Sequence, residues 1–170
     1  MTKRTHRTFT LALVLAGAAV LAAGCTGDSV TIPTPDGGKA VISGDKEVST
    51  ITTDQGKVTL SSENQLPEGF PKDIPIPGKA AIQASMKSEG KEGGEVYTVA
   101  YEIEQPFEET KSGVESFFKS SGYTESTRLT DEAIFLIAGK KEGLSLHFTV
   151  SKDMESDRTT NVTIVHEVNK

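Results

Sequence analysis

Tryptophan is absent from this 170-residue chain, and cysteine occurs once, at Cys25. A lone cysteine excludes an internal disulfide framework, so a folded body must rest on its core alone. Aromatic residues make up 6% of the chain, too few for the platforms on which nucleic-acid bases stack. Acidic residues are missing from positions 1–24, where Lys3, Arg4 and Arg7 stand. Beyond that segment 15 basic residues face 24 acidic ones, a net charge of -9. That surplus argues against nucleic acid or an anionic membrane surface as a direct partner. Long apolar runs are lacking apart from residues 9–23, and the mean hydropathy is -0.29, so the body reads as soluble.

What is present begins with "MTKRTHRTFTLALVLAGAAVLAAGC": a basic head, a short apolar stretch and small residues before Cys25. This is the layout of a secretory signal, and the stretch is shorter than the roughly 20 residues that span a bilayer. A cysteine directly after small residues resembles the lipobox of bacterial lipoproteins, with Ala22 where Leu is usual and Leu21 one place further out. The resemblance implies cleavage before Cys25, a diacylglycerol on its thiol and an N-acyl chain (palmitate among the fatty acids) on its new amino terminus. It places the protein on the extracytoplasmic face of the cell membrane, or on the outer membrane of a diderm cell. Two other readings remain beside it: cleavage at Ala16-Gly17-Ala18, or an uncleaved anchor.

Residues 1–24 are thus assigned to a signal peptide and 25–65 to a Thr/Gly-rich tether. Within the tether "TIPTPDGGKAVIS" and "TITTDQGKVTLS" form a weak repeat. Each copy has two β-prone arms around an Asp-Gly-Gly or Asp-Gln-Gly turn, which reads as a hairpin or, equally, as a flexible stalk. Pro67, Pro71, Pro75 and Pro77 make residues 66–78 an extended strap, with Phe70, Ile74 and Ile76 laid onto the body. Residues 79–170 form the main domain. Alternation at Ala80, Ile82, Ala84 and Met86, then at Tyr97, Val99, Tyr101 and Ile103, predicts a strand pair. Pro106 and Phe107 open a helix that Gly122 closes, and four further strands follow. The expectation is an α+β fold: an antiparallel sheet of about five to six strands in the order β-β-α-β-β-β-β, one helix on one face, preceded by short hairpin repeats.

The strap residues Pro71, Asp73, Pro75 and Pro77, with Gly122 and Tyr123 after the helix, resemble a pattern in uncharacterised bacterial secreted lipoproteins. That resemblance spans roughly residues 66 to 168 and implies no catalytic activity.

A search for chemistry finds little. His147 alternates with Leu146 and Phe148 and is expected on the solvent face, while His166 falls on the inward phase, so the two do not form a metal pair. Asp153, Glu155 and Asp157 have the alternate spacing of a calcium loop, but Arg158 and Ile164 stand where that loop needs Gly and Glu. They are the weak metal candidates. Glu102, Glu104, Glu108 and Glu109 gather at a strand-to-helix corner expected to be exposed. The reading is therefore a non-enzymatic, membrane-anchored envelope lipoprotein. It needs no cofactor beyond the lipid on Cys25, and its partner is an envelope protein or peptide. The alternative is a lipoprotein that binds a small solute or a cation.

Overall fold

The computed structural model describes residues 29–34, 38–44, 48–62 and 64–169. In chain order they form β1 (Val30–Pro33), β2 (Lys39–Gly44), β3 (Val48–Thr53), β4 (Gly56–Ser61), β5 (Ala81–Gly90) and β6 (Glu95–Ile103). Helix α1 (Phe107–Ser121) follows, then β7 (Thr124–Thr130), β8 (Ile134–Lys141), β9 (Leu144–Lys152) and β10 (Thr160–Val168). All ten strands belong to one sheet, ordered β1-β2-β3-β4-β5-β6-β10-β9-β8-β7, and every pairing is antiparallel.

This corrects the expected α+β architecture. Strand occupies 55% of the described residues and helix 11%, so the described residues form one large sheet with one helix. The hairpin repeats do not precede a five- or six-stranded sheet; they extend it. The junction lies at β4 and β5, where Val58 pairs with Ser88, Leu60 with Met86 and Ser61 with Ser85. An open β5 edge would leave a row of backbone N–H and C=O groups without partners, and β4 supplies those partners.

Alternating antiparallel pairs leave β6 and β7 parallel to each other, with β10, β9 and β8 between them. Parallel strands cannot be joined by a tight turn, so the chain needs a crossover, and α1 provides it. Its 15 residues span about 22 Å, close to the roughly 19 Å covered by four strand spacings. Glu108 and Glu109 lie in its first turn, where the helix dipole favours acids. Gly122 ends it with φ 78°, the left-handed C-terminal cap that glycine adopts without strain.

The core forms on the helix side of β5 to β10. Val99, Ile164, Phe148 and Ile137 stand side by side across β6, β10, β9 and β8, all essentially without solvent contact. Phe118 of α1 meets Phe148 edge to face at 6.0 Å, and Phe117 lies 5.8 Å from the same ring. The proline strap covers the adjoining half: Phe70 contacts Tyr97 edge to face at 6.2 Å, and Ile74 is buried. Ser85 is polar yet buried, and its Oγ donates to the Gln65 carbonyl at 2.6 Å. Buried polar groups need such a partner. No residue of β1 to β4 belongs to this core.

Candidate functional site

Cys25, the proposed lipid attachment point, and the whole signal segment lie outside the described residues. The remaining sequence candidates have definite places. Asp153, Glu155 and Asp157 occupy the loop between β9 and β10, where Asp153 Oδ1 accepts the Glu155 N–H at 2.9 Å. That bond is an ordinary turn stabiliser. Among the described residues no three His, Cys, Asp or Glu side chains converge as a metal-holding group. His147 is exposed and pairs with Val165, whereas His166 pairs with Leu146 and points the opposite way, into the core.

His166 is 2% exposed, and its Nδ1 has no hydrogen-bond partner among the described residues. Burial lowers its proton affinity below that of a free imidazole, while the charges of Asp73 and Glu167 act in the opposite sense. Tyr97 stacks obliquely 6.3 Å away and donates its hydroxyl to Glu95 at 2.9 Å. Lys87 bonds Glu89 at 2.7 Å and approaches Glu95 at 3.4 Å; that pairing raises the Lys87 pKa and lowers that of Glu89. Burial pushes the Tyr101 hydroxyl up to about 12. Lys87, Glu89, Glu95 and Tyr97 thus form a connected polar set.

The acidic corner noticed in the sequence is partly assembled. Glu104 and Glu109 line an open groove of about 410 Å³ with Pro77, Lys79 and Pro106. A second groove of similar size continues past Glu104 and Pro106 to Ser156, Arg158 and Thr159. The loop candidates therefore approach the corner through Arg158 rather than through a carboxylate. Glu108 lies outside both grooves and pairs with Lys111 at 3.2 Å.

The feature sequence reasoning missed is the free edge at β7. All seven of its residues are exposed, and among the described strands it pairs with β8 alone. A register shift between Glu125 and Thr127 bends it, as protected edges often are bent. Arg128 holds it down: its guanidinium bonds Glu125 at 2.7 Å, bonds Glu115 of α1 and lies over the Phe135 ring. Both acids raise the Arg128 pKa, and Arg128 lowers that of Glu125. A strand is expected after Gly122, but nothing local to residues 124–130 distinguishes an edge from an interior position. Set against family models, curated proteins and solved structures, the chain finds no match.

Proposed function

We propose that the protein is an exported bacterial lipoprotein, acylated on Cys25, whose sheet serves as an interaction module at the cell envelope. A protein or peptide partner docks as an additional strand along β7. The observation that carries this reading is the edge itself: seven consecutive exposed residues whose outer side has no described strand beside it. Strand addition uses the backbone groups of such an edge for affinity and neighbouring side chains for choice of partner. The anchor rests on the basic head, the short apolar run and the small residues before the solitary cysteine.

Photo-crosslinking in intact bacterial cells tests the docking edge. A photoreactive side chain at Thr127 is expected to capture a reproducible envelope species, and the same group at Lys119 on the helix is not. Equal capture at both positions, or none at Thr127, overturns the docking reading. The anchor has a separate test. Cys25→Ser is expected to abolish fatty-acid labelling and release of the mature form; unchanged labelling and processing overturn it.

A further inference from the structure

The two faces of the N-terminal half of the sheet differ sharply. Registers place Thr31, Lys39, Val41, Ser43, Thr50, Thr52, Lys57, Thr59, Lys87 and Glu89 on the helix side. The opposite side of β1 to β5 presents Val30, Ile42, Ile51, Val58, Leu60 and Met86, interspersed with Ala, Ser, Thr and Gly and with no charged side chain. Val30 is 56% exposed and Leu60 41%, and no described element packs over them. Ile32 is exposed as well, and Ile42, Ile51, Val58 and Met86 are half-buried, so apolar side chains line the face from β1 to β5; contiguous exposed apolar surface marks contact sites.

We infer that this face lies against the lipid bilayer. The inference rests on the lipid-anchor reading of Cys25. Only Thr26 to Ser29 separate that cysteine from Val30, so a fully extended chain holds the start of β1 within about 17 Å of the acyl chains. The bilayer is then a permanent neighbour of the face, present at high effective concentration, whereas a second copy must arrive by diffusion. The chain beyond residue 24 carries a net -9, which repels another copy and an anionic surface alike, so charge does not choose between them; the face itself carries no charge to desolvate against lipid. Sheet twist of roughly 20° per strand then turns the far end of the sheet out of the membrane plane.

The absence of tryptophan and the single cysteine make the test direct. The chain from Cys25 onward is coupled through its thiol to phosphatidylcholine vesicles bearing a small fraction of maleimide lipid, with and without brominated acyl chains. Leu60→Trp reports the apolar face and Thr52→Trp the opposite one; both sites are exposed, so each indole is accommodated. The expected result is blue-shifted emission for Leu60→Trp with several-fold stronger bromine quenching than for Thr52→Trp. Equal quenching of the two, or none, overturns the inference. A blue shift that grows with protein density and ignores bromine assigns the face to a second copy and overturns it as well. Because the tether is made chemically, these outcomes hold whether or not the cell acylates Cys25, and the labelling of Cys25→Ser reports that separately.

Discussion

Gly139 occupies a buried position on β8 where a side chain has nowhere to go. A Cβ there would lie 2.9 Å from the Phe118 ring, 2.9 Å from the Thr124 carbonyl oxygen and 3.2 Å from Tyr123 Cβ. The helix can bring Phe118 onto Phe148 because this strand position is empty. Gly139→Ala is therefore expected to destabilise the fold by about 1–3 kcal/mol, the usual cost of overpacking, read as a lower urea midpoint. Gly113 provides the contrast: nothing lies within 4 Å of its added Cβ, and alanine there is expected to stabilise by about 0.5–1 kcal/mol. His166 gives a pH dependence. Its folded pKa lies below the 6.5 of an unfolded imidazole, so the unfolded chain takes up the proton first. The stability it contributes is present above that value and is lost as the pH falls from there through the lowered folded pKa. His166→Phe removes the titration, and its urea midpoint is expected to fall less than that of the parent chain between pH 7 and pH 5.

Among the elements, legibility tracked how self-contained each one is. The alternation of Tyr97, Val99, Tyr101 and Ile103 identified β6 because large apolar side chains recur at every second position, with Thr98, Ala100 and Glu102 between them. Pro106 and Gly122 bracketed α1 because each acts on its own backbone. Strand count was a different matter. Whether the Thr-rich hairpins join the sheet depends on β4 meeting β5, and the inward residues at that seam are Ser61, Ser85 and Lys87. Ser85 is buried there only because a carbonyl 20 residues away accepts its proton, a partner that no local pattern shows. For the same reason the corner residues Glu104 and Glu109 were legible as a cluster, whereas the exposure of β7 along its full length was not. That edge also sets an expectation for dynamics. Amides of β7 and β1, each with one neighbouring strand, are expected to exchange fastest by hydrogen-exchange mass spectrometry, and those of β6, β9 and β10 slowest. Arg128→Gln cuts the tie from β7 to α1 and is expected to speed β7 exchange several-fold. Its cost in global stability stays under about 1 kcal/mol, because the pair is partly exposed and screened by salt.

The whole molecule is asymmetric along its sheet. Every buried apolar residue falls between Phe70 and Ile164, so the strap, α1, β5, β6 and β8 to β10 carry the packing. Among the described elements, strands β1 to β4 make their main contacts with the strands beside them rather than with a layer on either face. A sheet without a packed face is marginal in water, and these strands are held by their ladder onto β5. Nine strand spacings separate the two edges, roughly 40 Å along the sheet, so one end meets the proposed anchor while β7 is carried well away from it. The division predicts the outcome of truncation. A chain beginning at Ser62 retains Asn64 and Gln65, whose backbone groups bond Ile82 and Ser85 and seat the strap. It is expected to keep a single cooperative urea transition by circular dichroism with a modestly lower midpoint, and to self-associate more readily because β5 becomes a long open edge. Loss of the cooperative transition in the shortened chain would instead mean that the outer strands are part of one indivisible folding unit. The uncovered N-terminal face would then be a structural necessity, with the packed half unable to stand without it.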